Sequence, residues 1–171
     1  PQFVVLDQGR VVQHGPRVEL ASSDGPALNA DGGPATVSIR PSGTLRGRVD
    51  LTAGDDTLTN AGTFEAAGTS QFGAGTDLLV NSGTLRVQGP VTLAGLESLA
   101  NGGLIDLRDG ATDGVLTLPG SYVGTGSAAL GVDAGPGTAS DRLMIGGSAV
   151  GSTAVWVAGP GAFTEGAVVV D

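Results

Sequence analysis

Apolar and polar positions alternate in short runs along this chain, and between residues 39 and 107 the runs repeat. Four blocks carry the pattern: Pro41-Ser42-Gly43-Thr44-Leu45, Asn60-Ala61-Gly62-Thr63-Phe64, Asn81-Ser82-Gly83-Thr84-Leu85 and Asn101-Gly102-Gly103-Leu104-Ile105. Their starts lie 19, 21 and 20 residues apart. An aliphatic residue stands two positions before each block: Ile39, Leu58, Leu79 and Leu99. A large apolar residue stands four positions after each start: Leu45, Phe64, Leu85 and Ile105. Offsets of two put side chains on one face of a strand. Between them, Asn60, Asn81 and Asn101 each precede a glycine by two. Asn tolerates left-handed backbone and Gly enters it freely, so each block reads as a bend joining two short strands. The asparagines are corner devices on this reading.

A second series, Leu51, Phe72 and Leu93, repeats at 21 residues and suggests the same register. A period of about 20 residues with two or three strands per turn predicts an all-β solenoid, a parallel β-helix. Its coils stack about 4.8 Å apart and superpose equivalent side chains. No coil buries its inner face alone, so the stack itself is the core, with Leu99, Leu79, Leu58 and Ile39 lying above one another. A β-sandwich with irregular hairpins also accommodates alternating strands and Gly-rich turns. It does not require a matched triplet at constant spacing.

Outside the regular region the pattern loosens. Residues 1–36 read as irregular first coils, with strands at Phe3–Leu6, Arg10–Val12 and Arg17–Leu20. Residues 37–114 are the regular coils. From Val115 the strands lengthen and look hairpin-like, so residues 115–171 read as a C-terminal hairpin-rich cap on the last open edge. At 171 residues the whole is one body of about eight coils. A start within a repeat suggests a piece of a longer solenoid. The first residues form no signal peptide, and no run is long enough for a membrane helix.

Composition narrows the functional classes. Glycine is abundant, at 31 residues, while 40 % of residues are hydrophobic, which excludes a disordered chain. All the basic residues are arginine and the net charge is −9. Residues 51–114 carry eight acids against two arginines. An acidic surface argues against nucleic acid and against an anionic membrane, since both require clustered Lys and Arg. There is no cysteine.

Candidate chemistry is sparse. His14 is the single histidine, so a two-histidine metal site is impossible and a catalytic triad would have to be built around it; a surface or loop histidine is the plainer reading. Gly54-Asp55-Asp56-Thr57-Leu58 and Gly75-Thr76-Asp77-Leu78-Leu79 echo half of a calcium-binding nonapeptide repeat. That site needs tandem nine-residue copies, whereas these lie 21 apart, so turn-forming aspartates fit better. Stacked Asp55, Asp56 and Asp77, with Arg86 nearby, suggest paired carboxylates for a polysaccharide-cleaving enzyme. Aromatic residues make up only 4 % of the chain, too few for a sugar platform. Tyr122 is expected at the position held by Leu45, Phe64, Leu85 and Ile105 in earlier coils. Trp156 is expected to seal the cap or to face a further neighbour. No enzyme and no cofactor are expected.

The segment Leu118 to Asp171 resembles the C-terminal passenger region of the pertactin-like autotransporters, type V secreted proteins of Gram-negative bacteria. The matching pieces are Gly120 to Gly126, Leu130, Ser140-Asp141-Arg142-Leu143 with Ile145 and Gly146-Gly147, the Gly151-Ser152-Thr153 turn, Val155 to Val157, and Gly161 to Thr164 before the valine run. The coils from residue 40 onward are similar to that family's degenerate repeats. The resemblance implies a right-handed parallel β-helix that forms a passenger stem displayed at the outer membrane or released outside the cell. It implies a translocator β-barrel of the same polypeptide as partner, and a monomer. It also implies that the cap is an autochaperone region that nucleates folding, with Tyr122, Leu130, Asp141, Leu143 and Trp156 as its residues. The alternative is a carbohydrate-binding or carbohydrate-degrading β-helix of the lyase or tailspike kind.

Overall fold

The structure, a computed structural model, describes residues 26–30 and 33–159, together with the backbone of three earlier strands. Those are β1 (Gln2–Asp7), β2 (Arg10–His14) and β3 (Val18–Leu20), followed by β4 (Leu28–Ala30). Six coils come next. The first holds β5 (Ala35–Ile39), β6 (Thr44–Gly47) and β7 (Val49–Asp50). The second holds β8 (Thr57–Asn60) and β9 (Thr63–Gln71), and the third β10 (Leu78–Asn81) and β11 (Thr84–Ala94). The fourth holds β12 (Ser98–Asn101), β13 (Leu104–Asp106) and β14 (Val115–Leu118). The fifth holds β15 (Ser121–Gly124), β16 (Ala129–Asp133) and β17 (Arg142–Ile145), and the sixth β18 (Ala149–Gly151) and β19 (Ala154–Ala158). The chain is an all-β parallel solenoid of about six turns, with no helix among the described residues.

Each complete coil has three faces. On the first, β5, β8, β10, β12, β15 and β18 pair in parallel. The second runs through β6, the first half of β9, the first half of β11, β13, β16 and β19. The third runs through β4, β7, the second halves of β9 and β11, β14 and β17. In the second and third coils one long strand bends round the corner between the last two faces. In the fourth and fifth coils that corner opens into the loops 107–114 and 134–141. Inward side chains fill the prism: Leu58, Phe64, Leu79, Leu85, Leu99 and Ile105 are all buried.

The expected ladder departs from the structure in three places. Val37, not Ile39, stands opposite Leu58, and Ile39 stands opposite Asn60. The first corner, 40–43, is two residues longer than the corner at Ala61-Gly62, and the extra length absorbs the difference before Leu45 meets Phe64. Tyr122 stands opposite Leu99, while Leu130 continues the series through Ile105. Leu51 follows the Asp50–Gln71 pair and so lies level with Phe72, but Leu93 stands opposite Ser70. A register shift between Val87 and Val91 moves it there.

The cap also differs from expectation. From Val115 to Ala158 the strands pair in parallel, and antiparallel pairing is limited to one bridge, Ala134 with Ser140. The spacing changes there because the corner loops lengthen; Leu99 to Tyr122 is 23 residues and Tyr122 to Ala149 is 27. Antiparallel strands lie at the other end instead. β2 pairs with β1 and β3 with β4, so the first and third faces each end in a reversed strand. The matching piece Gly161 to Thr164 and the valine run that follows it lie outside the described residues.

Candidate functional site: internal ladders and the last coil

Two columns of polar side chains run through the stack. The first is built from asparagines at the ends of β8, β10 and β12. Asn60, Asn81 and Asn101 are fully buried. Asn60 Nδ2 donates to Asn81 Oδ1 at 2.8 Å, and Asn81 Nδ2 donates to Asn101 Oδ1 at 2.8 Å. The same amides also serve the backbone, donating to the carbonyls of Thr84 and Leu104. Asn101 Nδ2 then donates to the Tyr122 hydroxyl at 3.2 Å, which meets Thr153 Oγ1 at 2.7 Å. Gly124 stands where the next asparagine would be, and the Tyr122 hydroxyl reaches across to end the column. At the other end Ile39 faces Asn60, and Asn60 Oδ1 has no partner.

These asparagines are not in left-handed backbone, and neither are Gly62, Gly83 or Gly103. The glycines are required for close approach. A Cβ on Gly83 would lie 2.2 Å from the Gly62 carbonyl oxygen, and one on Gly103 would lie 2.2 Å from that of Gly83.

The second column is acidic and lies at the corner before the first face. Ala35 N donates to Asp56 Oδ1, Asp56 N to Asp77 Oδ1, and Asp77 N to Glu97 Oε2, each at 2.7 Å. Thr76 N donates to Asp55 Oδ1 on the exposed side. Asp56 and Asp77 are buried, and burial raises both carboxyls, Asp56 to about 6. Glu97 belongs to the series by spacing: Asp56, Asp77 and Glu97 follow one another by 21 and 20 residues. Carboxylates here replace backbone carbonyls as acceptors between coils. No group of acids among the described residues is arranged to hold a metal ion. Arg86 lies on a different face, between Glu65 and Asp106.

The later coils are braced by acids too. Asp141 is buried; its Oδ1 accepts from Gly114 N at 2.9 Å and its Oδ2 from Asp133 N at 2.7 Å. Desolvation raises its carboxyl despite those two bonds. Asp133 Oδ2 in turn accepts from the amides of Asp109 and Gly110. Leu130 and Leu143 are buried rungs of the second and third faces. Trp156 is 49 % exposed and points outward, so it does not seal the end. The Arg108 guanidinium lies 5.5 Å from its ring centroid and donates from Nε to Asp106 Oδ1 at 2.7 Å. Gly131, between Asp106 and Trp156 in register, makes room, since a Cβ there would lie 2.4 Å from Arg108 Nε. Sequence reading missed Arg108, Asp133 and Gly131, whose partners are set by coil stacking alone.

The last described coil is largely apolar: Val150, Val155 and Val157 are exposed, and a cavity of about 200 Å³ beside Val150 and Val155 is lined by Tyr122, Leu130, Leu143, Ile145 and Ala149 among others. His14, the one candidate for nucleophilic catalysis, ends strand β2 rather than lying in a loop; its side chain is outside the described residues. Comparison with family models, with curated proteins and with solved structures gives no match to this chain.

Proposed function

We propose that this chain is a structural stem, the lower β-solenoid of an autotransporter passenger, and that residues 115–171 act as its folding nucleus. The observation that carries the reading is the fate of the polar side chains. The asparagines and acids that repeat with the coils are bound to neighbouring coils and brace the stack. Among the described residues, no polar side chain of these columns is left over to form a separate site. On this reading the partner is a translocator β-barrel of the same polypeptide, the stem acts as a monomer at the bacterial surface or outside the cell, and it carries no catalysis.

The test is refolding of residues 1–114 without the C-terminal coils. Loss of cooperative refolding by circular dichroism, with recovery when residues 115–171 are supplied covalently, is the expected result. Equal cooperativity in the truncated and whole chains would overturn the nucleus. A second reading, a glycan-binding β-helix, draws on the exposed Trp156 beside Arg108 and Asp106. Binding on a glycan array that disappears in Trp156→Ala would favour it over the stem.

A further inference from the structure

The acidic column carries a property beyond bracing. Asp56 and Asp77 are 0 % and 1 % exposed, and each uses only Oδ1 for a hydrogen bond; Oδ2 of both has no partner. A bare carboxylate oxygen away from water is costly when the group is charged and far less so when it is protonated. Asp77 and Asp55 act electrostatically on Asp56, and Glu97 and Asp55 on Asp77; all are acids. Among the described residues, the charged groups that act on these two carboxyls are all acids, and no cation offsets their charge.

We propose that this corner is a proton-operated clamp: Asp56 takes up a proton in mildly acidic surroundings, and the neutral column then holds the first four coils together more tightly than the ionised one. Desolvation is the main cause, and the charges of Asp77 and Asp55 add to it; the Ala35 amide bond opposes them in part. Together they raise the Asp56 carboxyl from 3.8 to about 6. The folded chain therefore holds this proton more tightly than the unfolded chain does. The stabilising contribution is complete below pH 3.8 and is lost as pH rises through 6. From Asp56 alone the unfolding equilibrium constant shifts by about a hundredfold across that window.

Asp56→Asn removes the charge and keeps an oxygen to accept from Ala35 N. Urea unfolding of the full chain at pH 4 and pH 8 compares the two proteins. The expected result is that the stability of Asp56→Asn relative to the native chain rises by about a hundredfold between those pH values. Carbon-13 NMR of the Asp56 carboxyl in the native chain should show a midpoint near 6. Parallel pH profiles for the two proteins, or a midpoint near 4, would overturn the clamp. If the variant does not fold, the NMR titration decides the question alone.

Discussion

Asn81 both donates and accepts along the solenoid axis. It takes a hydrogen bond from Asn60, gives one to Asn101 and gives another to the Leu104 carbonyl. A buried polar group is tolerable when its bonds are made and costs about 1–3 kcal/mol when they are lost. Asn81→Ala is therefore expected to cost about 2–3 kcal/mol in urea unfolding, because it also leaves a void. Tyr122→Phe tests the end of the column more gently. It keeps the ring and removes the hydroxyl shared by Asn101 and Thr153, for an expected loss of about 1–2 kcal/mol. The recurrence of asparagine every 20 or 21 residues was plain in the sequence. The direction of its side chain was not: turn propensity suggested a left-handed corner, and the backbone there is not left-handed.

At the scale of strands and corners, spacing between coils dictates the residue types. Coils stack at strand-pairing distance, so two corners lying above one another leave no space for a Cβ. Gly83→Ala would press its methyl against the Gly62 carbonyl and should destabilise by more than about 3 kcal/mol or prevent folding. Gly135→Ala is the control. Its nearest neighbour would be Thr112 Cγ2 at 3.4 Å, an ordinary contact, and a change under about 1 kcal/mol is expected in the same assay. Corner length also explains the misplaced rungs. A corner two residues longer, as at 40–43, moves Ile39 from the leucine series to the asparagine series while preserving strand alternation. The offset of two leaves inward residues inward, so the apolar pattern alone cannot detect it. The loops at 107–114 and 134–141 likewise changed the period without changing the pairing. The strands from Val115 onward looked like hairpins in sequence and proved to be parallel coils with an enlarged corner.

For the whole molecule the two ends differ. At the N-terminal end antiparallel strands lie on two of the faces, whereas β18 and β19 form the last described rung, which exposes Val150, Val155 and Val157. Three successive rungs near that end are joined on the outside by Arg108, which spans from Asp106 across Gly131 to Trp156. Trp156 is the single tryptophan of the chain, so its fluorescence reports on this staple directly. Arg108→Ala should alter the emission intensity and position of Trp156 while lowering stability by about 1–3 kcal/mol, since it also leaves the buried Asp106 carboxylate without its partner. Unchanged emission would show that the guanidinium does not rest on the ring in solution.

The sequence by itself determined the class of fold, the inward apolar rungs and the recurrence of glycine and asparagine at the corners. Those follow from period-two alternation within a strand and a period near 20 between coils, both of which are local in the chain. Only the tertiary structure decided which residue stands above which, because register depends on corner length summed over a whole coil. It also decided the roles of Asp56, Asp77 and Glu97. A carboxylate at a coil corner reads the same in sequence whether it faces water or the amide of the preceding coil, and stacking alone removes the water.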